Sequence, residues 1–160
     1  MPVTPFHFGL GVPLEAIAPR YFSLTVFCLV QVMIDTEVAF AVLLGRQPIH
    51  GFFHTYVGAS LVAACGVAAA RPVCGRAKRL WNSRLDRRLR KYLQVPEEIS
   101  FPAALTGAVA GAYSHVWFDS MMHVDIRPLA PWSPDNAMLD VLSPTQLHVV
   151  CVLTGALAGC

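Results

Sequence analysis

FPAALTGAVAGAYSHVWFDSMMH, residues Phe101–His123, is an apolar run that ends in three ionisable side chains, His115, Asp119 and His123. Read as a helix, Phe101–Met122 is long enough to cross a bilayer. Steps of four residues turn by about 40°, so positions 115, 119 and 123 share one face. An ionisable group at the centre of a spanning helix costs about 2.5–3.5 kcal/mol on insertion scales, so such a stripe marks a functional site by default. Gly107 and Gly111 and the alanines between them permit another helix to approach closely.

The rest of the chain has the same character. Of 160 residues, 55% are hydrophobic and only 14% charged, and the mean hydropathy of +0.52 is too high for an ordinary soluble domain. Three further apolar runs are evident at residues 21–44, 52–70 and 142–160. The first, about 24 residues, makes a helix of about 36 Å. A turn at Gly45–Gly51 and a stop at Arg71–Pro72 bracket the second, giving an antiparallel hairpin. Residues 127–134 carry three prolines and form an irregular cap rather than a helix. The sequence predicts an all-α polytopic membrane bundle, residues 1–160 as one domain, with four spanning helices.

Nine of the twelve Lys and Arg residues fall between Arg71 and Lys91, within a connecting segment at 71–100. The positive-inside rule makes this a cytoplasmic loop, not a nucleic-acid surface. Leu80, Trp81, Leu85, Leu89, Tyr92 and Leu93 recur every three to four residues among the basic ones, the pattern of an amphipathic helix on the bilayer surface. The alternative is a solvated linker helix. Met1–Pro19 lacks the pattern of a cleavable signal peptide. The five cysteines, Cys28, Cys65, Cys74, Cys151 and Cys160, show no CxxC spacing and read as small packing residues.

With the basic segment inside, Asp35, His54, His115, Asp119 and His123 gather toward the outer half of the bundle. Phe6–Ala18 is too short to span, but as a re-entrant helix of about 18 Å it brings His7 back toward the level of Asp35. A cytoplasmic surface segment with a solvent-facing His7 is the alternative. Six potential metal ligands follow: His7, Asp35, His54, His115, Asp119 and His123. Imidazole nitrogen and carboxylate oxygen suit zinc, and a catalytic site keeps one position for water. The competing reading is a hydrogen-bonded polar seam with His123 capping its helix. Glu37 is a second ligand, a general base or the residue nearer water. His50 is either a partner of His54 or an ordinary interfacial histidine.

Together, MPVTPFHFGLG, IDTE, HGFFHT and SHVWFDSMMHVDIRPLAP resemble the bacterial family of membrane-bound, predicted metal-dependent hydrolases, and the ligand order is also reminiscent of zinc-dependent phospholipase C. The resemblance implies that the six residues line a site for one or two divalent ions, zinc first among them, in the bacterial inner membrane. Relatives carry Asp-x-Asp where this chain has Asp35-Thr36-Glu37, and a longer His-Arg-Gly-x-x-His turn in place of His50–His54. The function expected is hydrolysis of a lipid or lipid-linked phosphoester or ester by metal-bound hydroxide. Glu37 and His123 are the expected catalytic groups; His50, Asp125 and Arg127 would orient the substrate. No nucleic acid is expected as a partner. The other class of function is a non-enzymatic membrane protein using the same residues as a proton or ion relay or a structural metal site.

Overall fold

Glu15 Oε2 accepts the Leu24 N–H at 2.8 Å and so caps the long apolar helix of the first run. In the computed structural model, which describes residues 4–158, this glutamate belongs to a short N-terminal unit. The unit is a 3-10 segment, Thr4–Leu10, followed by α1 (Gly11–Ile17). It returns along α2 (Leu24–Leu43). Helix α2 ends at Gly45, whose φ of 61° is the left-handed conformation that favours glycine. The Arg46 N–H then reaches the Ala41 carbonyl at 2.8 Å and the Gly45 N–H reaches Val42 at 3.2 Å, a Schellman closure.

A 3-10 turn at Phe52–His54 leads into α3 (Tyr56–Ala69), whose first turn is capped by Thr55 Oγ1 accepting the Gly58 N–H at 3.0 Å. The expected stop at Arg71–Pro72 does not occur. Residues Ala70–Cys74 form a π-turn, with the Gly75 N–H on the Ala70 carbonyl, and the helix continues as α4 (Gly75–Arg84). The wider turn accommodates Pro72, which has no N–H to give.

The basic segment is also not one helix. Leu85 is extended, and Asp86 starts α5 (Arg87–Leu93) by accepting the Arg88 and Leu89 N–H groups at 2.8 Å each. Asn82 ties the following strap back to α4: its side chain donates to the Val95 carbonyl at 2.9 Å and accepts the Val95 N–H at 3.1 Å. Leu80, Trp81, Leu89, Tyr92 and Leu93 remain exposed.

Ser100 caps α6 (Phe101–Met122), and α7 (Pro144–Ala158) closes the described chain. The described residues are all-α, with no strand among them. Val26, Val30, Ile34, Val62, Ala108 and Val116 fill the space between α2, α3 and α6. Phe118, Met121 and Leu147 join α6 to α7, with Leu10 of the N-terminal segment packed against them.

Two helices are long and apolar enough to cross a membrane: Leu24–Leu43 and the continuous Tyr56–Arg84. Helix α6 has the length but carries His115 and Asp119, and α7 has 15 described residues where a span needs about 20. Residues 159 and 160 of the expected fourth run, and so Cys160, lie outside the described residues. Cys28, Cys65, Cys74 and Cys151 are free thiols.

The contact that sets the register of the bundle is between α2 and α6. A Cβ at Gly107 would lie 2.5 Å from the Ser23 carbonyl oxygen, and one at Gly111 would lie 2.7 Å from that of Phe27. Both pairs share one sequence offset, so the helices run parallel, with Gln31 level with His115 and Asp35 level with Asp119. Backbone cannot yield as a flexible side chain does. Gly107→Ala and Gly111→Ala are each expected to lower stability by about 1–3 kcal/mol, the cost of overpacking. Denaturation in detergent measures this, and unchanged stability in both variants would contradict the close approach.

Candidate metal centre

Asp35 comes from α2, His54 from the turn before α3, and His115 and Asp119 from α6, where a spacing of four puts them on one face. One donor atom from each lies within 4.8 Å of every other. His115 Nε2 stands 3.2 Å from both Asp35 Oδ1 and Asp119 Oδ2. His54 Nε2 stands 3.7 Å and 3.8 Å from the same two oxygens. His54, His115 and Asp119 are buried, and Asp35, with 28% of its side chain accessible, is the member that opens outward.

The chemistry of this set fits a cation. An imidazole offers at most one proton at Nε2, yet each Nε2 here faces two carboxylate oxygens. Neither buried nitrogen has a hydrogen-bond partner among the described residues. Two carboxylates brought this close out of water repel each other unless positive charge lies between them. A divalent ion would meet both demands, since its preferred donors are the imidazole nitrogens and carboxylate oxygens present.

His7 reaches the same centre. The 3-10 segment holds its Nε2 3.6 Å from Asp119 Oδ1, with its ring 5.3 Å from that of His115. Asp119 is therefore the carboxylate on which His7, His54 and His115 all converge.

Glu37 stands behind His54. Its Oε2 accepts the Gly51 N–H at 3.1 Å, the Phe53 N–H at 2.9 Å and the His54 ring Nδ1 at 3.2 Å. With these donors it fixes the turn and turns His54 Nε2 toward Asp35 and Asp119. In this geometry Glu37 positions His54, where the sequence left it as a second ligand, a general base or the residue nearer water.

His123 does not continue the stripe of His115 and Asp119. The chain leaves α6 at this residue, with φ −121° and ψ 118°, while its N–H still reaches the Asp119 carbonyl. Its ring lies instead 4.3 Å from that of His50, and His50, His123 and Asp125 form a second group of converging donors. Asp125 accepts from the Ile49 and His50 N–H groups at 3.2 Å each, and its Oδ1 lies 2.8 Å from His50 Nδ1. Burial disfavours charge on Asp125, but the His50 ring and the backbone amides outweigh it and hold its carboxyl below the ordinary range. Burial, followed by the neighbouring His50, pushes the His123 imidazole down, which favours its neutral form. Arg127 is exposed and donates to the Pro134 carbonyl at 2.5 Å; it is joined to neither group.

Two residues escaped the sequence reading. His148 on α7 lies within electrostatic reach of His7. Gln31 is fully buried one turn before Asp35, level with His115, and neither its amide nitrogen nor its oxygen has a partner among the described residues. Its signal was present: a polar residue four positions from Asp35 in an apolar run. Two cavities lie away from the cluster. One of about 980 Å³ sits at the opposite, basic end beside Arg20, Arg71, Lys78 and Arg79. The other, about 420 Å³, lies on the far side of Glu37, against Phe40, Leu44, Ile49 and Phe53.

No family model, curated protein or solved structure matches the chain. The family resemblance rests on the motifs quoted above.

Leaving a buried amide unpaired costs about 1–3 kcal/mol. Gln31→Leu is therefore expected to raise stability by about that amount, read from denaturation in detergent at fixed metal content. A loss of stability would mean that the amide has a partner in solution, such as an enclosed water.

Proposed function

We propose that this chain is a membrane-embedded, metal-dependent hydrolase of the bacterial family its motifs resemble, acting on a lipid or lipid-linked phosphoester or ester. The observation that carries the reading is the convergence of Asp35, His54, His115 and Asp119, from three separate segments, on one largely buried point. Zinc is our first choice of metal, because imidazole nitrogen and carboxylate oxygen are among its usual donors. Bound there, such an ion supplies Lewis acidity toward water and toward a phosphoryl or carbonyl oxygen.

The residues around the point have separable tasks. Asp35, His54, His115 and Asp119 hold the ion, His7 closes the side toward the N-terminal segment, and Glu37 keeps His54 in place. Below Gln31 the bundle is packed with Val26, Val30, Ala63, Ala104 and Ala108, all buried. That apolar packing supports a closed-bottomed site over a relay, which needs polar groups continuing to the other end.

The membrane setting is supported by where the apolar surface lies. Only 33% of the most apolar window of α2 is buried inside the bundle. Leu105, Val109, Tyr113 and Trp117 make an exposed stripe at every fourth residue of α6, and Val149, Val150, Val152 and Leu153 are exposed on α7. Exposed apolar stripes on several helices suit lipid contact. We assign α6 and α7 to the membrane beside the two more apolar helices, making four spans in the inner membrane, with the basic end of the Tyr56–Arg84 helix and α5 on the cytoplasmic side and the metal centre toward the outer side. The apolar cavity behind Glu37 offers room for the start of an acyl chain.

Detergent-purified protein is expected to contain stoichiometric divalent metal by elemental mass spectrometry. His115→Ala and Asp119→Ala should stay helical and lose it. The loaded wild type should cleave a phospholipid or a chromogenic phosphodiester, stop on chelation and recover on adding metal. Metal retained in both folded variants would sink the ligand assignment, and a loaded protein inactive on every ester class would sink the hydrolase reading. Glu37→Gln is expected to weaken metal affinity about 10–100-fold, as loss of a group orienting a ligand does; an unchanged affinity would remove Glu37 from that role.

A further inference from the structure

We propose that the cavity at the basic end of the bundle binds the phosphodiester head group of an anionic phospholipid. The site is separate from the metal centre and takes from the reading above only that this end of the bundle meets a membrane. The cavity, about 980 Å³, lies where α2 and α6 begin and the Tyr56–Arg84 helix leaves its apolar stretch. That volume is at the upper end of the about 300–1,000 Å³ of small-molecule pockets. The buried part of its lining is mostly apolar, with Phe22, Gly75, Ile99 and Ala103, while Arg20, Arg71 and Arg79 are exposed around it and Lys78 is half-buried.

The charges of the lining ask for an anion. Every ion pair among the described residues involves a histidine, so none of these four cations has a carboxylate partner. Three carboxylates share the lining, but two are engaged elsewhere: Glu15 accepts the Leu24 N–H at 2.8 Å, and Glu97 Oε1 accepts the Asn82 side-chain amide at 3.0 Å. Four cations against three carboxylates leave one net positive charge, which matches the single negative charge of a phosphodiester. Ser23 and Ser100, at the starts of α2 and α6, also line the cavity and bring the positive ends of two long helices to it.

A solvated basic face accounts for the cations of α5, a helix with no buried residue. It does not account for cations drawn around one hollow from the turn before α2, from the π-turn and from α4. The hollow is also built: a Cβ at Gly75 would meet Arg79 Nη1 at 3.5 Å and the Glu97 carbonyl oxygen at 3.7 Å, so α4, its guanidinium and the strap after α5 come together there. The surroundings favour a lipid over a soluble phosphate ester. Ile17 and Tyr21, on either side of Pro19-Arg20, and Leu80 and Trp81, just after Arg79, are exposed. Tyrosine and tryptophan suit the depth of the head groups, where basic pockets between spanning helices hold anionic lipids.

The test is native mass spectrometry of the full chain in detergent, titrated with phosphatidylglycerol, phosphatidylcholine or glycerol phosphate. The wild type is expected to hold phosphatidylglycerol most tightly. Arg71→Gln with Lys78→Gln should weaken that binding by about fivefold per cation removed. Arg87→Gln with Arg88→Gln takes the same charge from α5, outside the cavity, and should leave it unchanged. Glu98→Gln removes the third carboxylate of the lining and should tighten binding, a gain that misfolding does not produce. Circular dichroism checks the fold, and divalent metal content read on the same samples should not change, so failure here and failure of the metal-centre reading are told apart. Equal loss in both double variants would show diffuse charge attraction and overturn the proposal. So would phosphatidylcholine held as tightly as phosphatidylglycerol, or glycerol phosphate held as tightly and lost with Arg71 and Lys78, since the ligand would then be no anionic lipid.

Discussion

Asp119 is a carboxylate, only 5% exposed, inside an apolar bundle, and every other part of the site answers to that fact. A lone ionised carboxylate in such a place is untenable; it must be met by positive charge or by donors. Three histidines converge on it, from the N-terminal segment, from the turn before α3 and from its own helix. A second carboxylate, Asp35, lies on the same histidines instead of apart from them. The arrangement has more negative charge than its imidazoles can compensate while neutral, and it is this imbalance that makes a cation the natural occupant.

The fold supplies what the centre needs through two devices. Gly107 and Gly111 let α6 approach the backbone of α2 along one register, and that register sets Asp35 level with Asp119. The other device is a pair of carboxylates, Glu37 and Asp125, each accepting backbone N–H groups from the turn that carries a histidine and each holding that histidine's Nδ1. Rigid helices bring the acids and His115; braced turns bring His50 and His54.

Much of the centre was legible because helix periodicity is a local property. His115 and Asp119, four apart, had to share a face, and the length of the N-terminal segment allowed His7 to return to the level of Asp35. What depended on chain reversals was not legible. The spacing of His123 continues the stripe, but the helix ends at Met122, and a residue in extended conformation no longer obeys a 3.6-residue period. The role of Glu37 stayed open among ligand, base and water-facing residue because nothing in IDTE reveals that the turn at 51–54 folds onto it. Arg71–Pro72 looked like a helix stop, whereas a π-turn absorbs the proline. The small residues of α6 announced a close approach without naming α2 as the partner.

X-ray absorption at the zinc edge, on protein loaded to saturation and washed free of excess metal, addresses the central claim most directly. The account predicts nitrogen and oxygen ligands at about 2.0–2.1 Å, with the outer scattering of at least two imidazoles per chain and no sulfur. A thiolate distance of about 2.3 Å, or a spectrum without imidazole scattering, would contradict it, because the metal would then lie elsewhere than among His54, His115, Asp35 and Asp119.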